Sequence, residues 1–298
     1  MENLDTKGLF WDDSLSLGVE NIDNDHKQLF AILHHVLKLL ATGEQDRREF
    51  ACREALDFLE KYTRRHFARE EAFQRELGYA GYEMHKALHD NLCRVTLPDM
   101  NRELEEKNFS QDAVERFVGI FTGWLMWHVM IEDQAIVGKR TSMWTGRENV
   151  DDIEALDKEM YAVMQSLLRE EITLINRHYT GERLNSAISY VMCFRTELGD
   201  YDVVYVADRT TIEMFARKVL GRDVDGVDAA AFMAYVEIAQ MTADRMLRHL
   251  YGAKEVQLTA HHGATGADIA ERFKDGFPAL SLLWRLKNGL LGMCIEKK

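Results

Sequence analysis

Two pairs of metal-capable side chains, each four residues apart, constrain this chain more than any other feature: His66 with Glu70, and His85 with His89. A four-residue step returns to one face of an α-helix, so each pair projects from a single face. Both pairs lie in runs of helical apolar spacing, and two further runs carry His26 and, later, His128 with Asp133. Asp23, Asn24 and Asp25 read as N-cap residues of a first helix that Gly43 stops. A second helix is predicted from about Gln45 to Leu77 and a third from about Tyr82 into the 90s, where Pro98 bends or ends it. A fourth starts after Ser110 and runs to about Val137. Long amphipathic helices with short connections predict an all-α, up-down-up-down four-helix bundle. The third helix then runs opposite to the second, and the two pairs meet at one depth. Residues 1–21 read as an ordered arm anchored by Trp11, Leu15 and Leu17.

Seven residues thus form the candidate metal set: His26, His66, Glu70, His85, His89, His128 and Asp133. Imidazole and carboxylate together suit iron, zinc, copper or nickel. Two carboxylates among seven ligands suggest two metals, each carboxylate able to bridge. Burying these groups with neither metal nor partners would cost on the order of several kcal/mol per ion. A lone histidine on an apolar face is ordinarily a core residue, and His34, His35, His178, His249, His261 and His262 stay in that class. The step from His128 to Asp133 is five residues, about 140° of rotation in an ideal α-helix. One π-type turn, or a long reach by Asp133, would bring both toward one face. A regular helix with Asp133 facing solvent would refute its place in the set.

The net charge of -13 makes nucleic acid a poor partner, because phosphate backbones need clustered Lys and Arg. Cys52, Cys93, Cys193 and Cys294 lie far apart and form no disulfide framework, which fits a reducing cytosol. The start is acidic with no apolar signal core, and no apolar run approaches the ~18 residues of a membrane span. The expectation is a soluble cytoplasmic protein with no membrane partner.

The motifs Ile22-Asp-Asn-Asp-His26, His66-Phe-Ala-Arg-Glu70-Glu, His85-Lys-Ala-Leu-His89 and Trp124-Leu-Met-Trp-His128-Val-Met-Ile-Glu-Asp133 resemble those of the bacterial hemerythrins. The resemblance covers roughly residues 8–140. It implies a non-haem centre of two iron ions, joined by an oxo or hydroxo bridge, that binds O2. His85, His89 and His128 would fill one iron. His26 and His66 would serve the other, which keeps one position open for O2. Glu70 and Asp133 would bridge the two. Trp124, Leu125 and Val129 would line the O2 pocket, Val129 standing where the family commonly has isoleucine. Bundle-type di-iron oxygenases use four carboxylates. Five imidazoles and two carboxylates should favour reversible O2 binding over O–O cleavage.

Three segments are expected: a hemerythrin-like domain over 1–140, a linker and connector helix over 141–182, and an α+β domain over 183–298. The connector is predicted helical from Ile153 to Ile175, with spacing that permits a short coiled coil or packing on its own domain. Ala187–Phe194, Asp202–Ala207 and Val256–Ala260 read as strands, and helices are expected at about 210–220, 228–250 and within 262–274. Asn288-Gly289 between apolar runs signals a hairpin, since both residues tolerate positive φ. This second half resembles the CheX/CheC type of chemotaxis phosphatase, through its strand–strand–helix–helix order and the frame Glu237-Ile-Ala-Gln240. The resemblance implies that Glu237 contacts a phosphorylated, CheY-like response regulator and that Gln240 orients water. Gln240 stands where that family has Asn, one methylene shorter. Three functions follow as expectations: an oxygen or redox sensor whose bundle controls the second domain, a response-regulator aspartyl-phosphate phosphatase gated by iron, and an O2 carrier or store with a dimerising second domain. The first and third are not enzymes and the second is.

Overall fold

The computed structural model describes residues 11–40, 45–139, 152–179, 187–221, 226–274, 276, 278 and 280–298. The chain forms two compact units, made mainly of residues 1–146 and of residues 147–298.

In the first unit, helix α1 spans Glu20–Leu40 and α2 spans Gln45–Leu77. Helix α3 (Tyr82–Asn91) continues through a π-helical turn, Leu92–Thr96, into α4 (Leu97–Glu106). Helix α5 (Gln111–Trp127) passes through a second π-helical turn, His128–Asp133, into the short α6 (Gln134–Ile136). These are the four rods of the expected bundle. Pro98 sits in the first turn of α4, directly after the first π turn, so the rod carries on past it to Glu106. The altered carbonyl spacing there accommodates a residue with no N–H.

The start of α1 corrects one expectation. The helix begins at Glu20, so Asp23, Asn24 and Asp25 lie inside it and are not N-caps. Asp23 instead reaches back along the chain. Its carboxylate accepts from Leu17 N at 2.7 Å, Gly18 N at 3.2 Å and Ser16 Oγ at 2.6 Å. The arm is tied at its other side as well. Leu15 and Leu17 are buried, Gln134 Nε2 donates to Leu15 O at 2.9 Å, and Lys139 Nζ donates to Ser16 O at 2.6 Å. Removing a buried acceptor orphans its donors. Asp23→Ala is therefore expected to lower stability by about 2–3 kcal/mol, read as a shift in urea midpoint at constant slope.

The second unit is α+β. Helix α7 spans Asp152–Leu168, and strands β1 (Thr173–Asn176), β2 (Ala187–Thr196) and β3 (Gly199–Asp208) follow. Then come α8 (Arg209–Val219), α9 (Ala229–Tyr251), β4 (Val256–Ala264), α10 (Gly266–Arg272), β5 (Leu280–Leu286) and β6 (Gly289–Lys297). The strands pair antiparallel in the order β1-β5-β6-β3-β2-β4. Val191, Val204 and Cys294 stand in register across three of them and share a buried cluster with Ile269 and Phe273 near α10.

The connector departs from its sequence reading. Helix α7 stops at Leu168, Arg169 takes φ 54°, and Thr173–Asn176 form a strand. Thr173 and Ile175 are β-branched, and Leu174 finds a pairing partner opposite Trp284, so sheet formation outweighs the heptad spacing. Helix α7 is tied to its own unit: Trp284 Nε1 donates to Asp157 Oδ1 at 2.7 Å, and Glu159 pairs with Arg245 at 2.6 Å. The polar linker expected over 139–152 falls almost entirely on residues 140–151, which lie outside the described residues. Strand β4 runs past its predicted end at Ala260 and includes His261 and His262.

The hairpin joins β5 to β6 with Leu286 opposite Gly289. Gly289 does not take a positive φ. A Cβ there would sit 2.3 Å from Thr211 Oγ1, so glycine is required by close approach of the α8 start.

Candidate metal centre

The bundle brings all seven candidate residues together. His26, His66, Glu70, His85 and Asp133 are fully buried, and His89 and His128 nearly so. The π-helical turn His128–Asp133 supplies the extra rotation that the five-residue step required. Asp133 Oδ1 lies 3.1 Å from His128 Nε2 and 3.4 Å from His85 Nε2, while its Oδ2 lies 3.2 Å from His26 Nε2. Asp133 thus faces inward.

Glu70 divides its oxygens between two groups of imidazoles. Oε1 is 2.7 Å from His85 Nε2 and 3.6 Å from His89 Nε2, and Oε2 is 3.3 Å from His66 Nε2 and 3.7 Å from His128 Nε2. Glu70, His85, His89 and His128 place one ligand atom each within 4.8 Å of one another, and so do His26, His66 and Glu70. Glu70 is common to both groups.

Whether these residues fit metal is decided by what their polar atoms lack. Both ring nitrogens of His26, His66 and His85, His128 Nδ1, Glu70 Oε2 and both oxygens of Asp133 are buried and have no hydrogen bond among the described residues. Orphaned buried groups are rare, and clustered ones point to an ion. His89 Nε2 and His128 Nε2 face each other at 3.1 Å. For bonds of ~2.1 Å, neighbouring ligand atoms around one ion stand roughly 3.0–3.4 Å apart, and this pair falls in that range. The donor set fits a metal pair.

Without an ion the groups are tightly coupled to one another. Burial raises both carboxylates, but the His85 and His89 imidazoles outweigh it at Glu70 and hold that group well below the usual carboxylate range. Asp133, raised by burial and by the Glu70 charge, is pushed up to about 7. Burial, helped by the neighbouring His66, lowers His26 to about 3. At His66 burial is overridden by the Asp25 and Glu70 carboxylates, which raise it to about 9. Each group senses the others through a dry interior.

The residues around the set are largely apolar. Trp124 stacks on His128 with centroids 4.5 Å apart, and Leu125 and Val129 are fully buried in the same helical stretch. Phe67, which the sequence reading passed over, stacks on His89 at 3.7 Å and lies 5.9 Å from Trp124. Its position next to His66 was the available signal. Three polar supports were also missed. Glu71 meets His89 Nδ1 at 3.2 Å, Gln74 donates to Glu70 at 2.7 Å, and Asp25 lies 3.7 Å from His66 Nδ1 while accepting from Tyr62 and Arg69. All sit one residue or one helical turn from a metal candidate, where supporting partners of ligands are commonly placed.

In the second unit, Glu237 is 8% exposed and Gln240 half-buried on α9. Burial pushes the Glu237 carboxyl up to about 7. A folded-state value above the ordinary one means stability is lost as pH rises from about 4.3 toward 7. Glu237→Gln is expected to raise stability at pH 8 by on the order of 2–3 kcal/mol and to change it little near pH 4.5, checked by paired thermal melts.

A buried, histidine-rich metal site in a four-helix bundle is the class defined by these observations. The Hemerythrin HHE cation binding domain family matches residues 17–139. A bacteriohemerythrin of Methylococcus capsulatus is 34% identical over 109 residues, 36% of this chain and 76% of the relative. One of Pseudomonas aeruginosa is 28% identical over 129 residues, covering 43% of this chain and 79% of the relative. A hemerythrin from Sipunculus nudus is 25% identical over 123 residues, 41% of this chain and 86% of the relative. The chain belongs to the hemerythrin family. Among solved structures, the chemotaxis protein CheX from Vibrio vulnificus covers 51% of this chain and all of its own, at 10% identity and a TM-score of 0.37. A CheC-like superfamily protein from Shewanella gives 14% identity and the same TM-score over 50% of this chain and 99% of its own. Those likenesses are too faint to carry a functional conclusion. Among the described residues, no helix is long and apolar enough to cross a membrane.

Proposed function

We propose that the bundle holds two iron ions, binds O2 reversibly, and serves as the input of an oxygen or redox sensor whose output lies in the α+β region. The observation that supports this most is the buried donor set itself: five imidazoles and two carboxylates, with Glu70 shared between two groups. His85, His89 and His128 would hold one ion, His26 and His66 the other, and Glu70 and Asp133 both. When bound, the iron pair supplies the electrons that make O2 uptake and release possible.

The protein's own residues set the terms. Imidazoles, which bind metal as neutral ligands, outnumber carboxylates, and a shell poor in negative charge does little to stabilise the high iron charge that O–O cleavage requires. Trp124, Leu125, Val129 and Phe67 keep water from the site, which strengthens each electrostatic contact within it. Glu71 holds the His89 ring by Nδ1, and Asp25, fixed by Arg69 and Tyr62, stands behind His66. A sensor must also differ between its two states. Hydrogen exchange and oligomeric state compared under argon and under O2 are expected to differ in α7 or in the sheet. Identical behaviour in both gases would leave only a carrier or store.

The phosphatase reading makes a harder demand. Glu237 would have to meet a phosphorylated receiver domain, yet its side chain is buried in this conformation. Dephosphorylation of a phosphorylated receiver by the full chain, present in one gas and absent in the other, would support it. No activity in either gas would remove it.

A further inference from the structure

Gln74 is fully buried one turn beyond Glu70 on α2. Its Nε2 donates to Glu70 Oε1 at 2.7 Å, while its own Oε1 is buried with no hydrogen-bond partner among the described residues. The reverse orientation of the amide would set two acceptors against each other, so the donor must face the carboxylate. A buried amide with one end unpaired lowers stability, and an apolar side chain of the same shape would not. Gln74 therefore stands where packing alone favours another residue.

The bonded oxygen is the one that faces His85 and His89. A hydrogen bond there does two things. It fixes how the carboxylate is turned between the two groups of imidazoles, and it draws negative charge away from Oε1. A weaker donor atom stabilises the metal in its lower charge state. Among the described residues, Asp133 has no such donor on either oxygen. The two carboxylates of the set are consequently unequal, and the inequality comes from one side chain.

We propose that Gln74 is a positioning residue for the metal pair: it locks Glu70 in its bridging orientation and biases the pair toward the reduced form that takes up O2. This rests on the di-iron reading above. The test uses the full chain with Gln74→Met, which keeps the shape and removes the donor, and Gln74→Leu as a second variant should the first misfold. Metal content is measured first, then the midpoint potential, then the rate at which the O2-responsive spectrum is lost in air.

Both variants are expected to keep two irons per chain. The equilibrium should shift about tenfold toward the oxidised form, 59 mV per electron, with spectral loss about tenfold faster. The metal-free variants should melt no lower than the parent. A parent-like potential in a variant carrying two irons overturns the positioning role and leaves the di-iron reading standing. A lower melting point of the metal-free variants with an unchanged potential assigns Gln74 to packing. A parent that takes up no iron overturns both.

Discussion

Glu70→Ala is expected to reduce bound iron from two per chain to one or none while the helices survive. Among the described residues, Glu70 is the one side chain common to both groups of convergent ligand atoms. Its two oxygens face different imidazoles, His85 and His89 on one side and His66 and His128 on the other. Loss of a supporting partner costs roughly 10–100-fold in metal affinity, and loss of a shared ligand must cost more. The apolar core of the bundle, Leu29, Leu33, Leu59, Val114 and Phe121 among it, is untouched. Iron analysis after gel filtration, with circular dichroism to confirm helix content, reads the result. Two irons retained would show that Glu70 is a core carboxylate with no metal role.

Stripping the metal should have the second large effect. A ligand that binds only the folded state stabilises it by about 4 kcal/mol at a thousand times its dissociation constant. For a domain of 150–250 residues each kcal/mol moves the melting point roughly 2–4 °C. Chelation is thus expected to lower the melting of the first unit by roughly 8–16 °C. The structure gives the reason in residues: without an ion, His26, His66, His85 and Asp133 keep buried polar atoms that no described residue satisfies. The second unit contains none of the seven, so its own transition should stay where it was. A chelated protein that melts with the parent would mean the cluster is satisfied by protons alone.

The bundle was legible because its signals are local. Helical spacing, the Ser110 cap and the glycine stops at Gly78 and Gly138 lie within a few residues of what they control. The need for a distorted turn before Asp133 could be deduced from a five-residue step alone. Other features depended on distant partners. Nothing near Thr173 announces that Leu174 will pair opposite Trp284, so a strand there read as the end of a helix. Asp23 looked like a cap but reaches back to Leu17 and Gly18 from inside α1. Gly289 looked like a turn residue, and its reason is Thr211, far away in the chain. The supports of the site, Glu71, Gln74 and Asp25, were hidden for a different reason. Charged and amide residues on a long helix are usually solvated, and only the fold shows which of them turn inward.

Metal analysis of the purified full chain, paired with its visible absorption under argon and then under O2, tests the central claim most directly. Two irons per chain are expected, with a visible band that develops under O2 and fades again under argon. One zinc per chain, no metal, or two irons whose spectrum ignores O2 would contradict it.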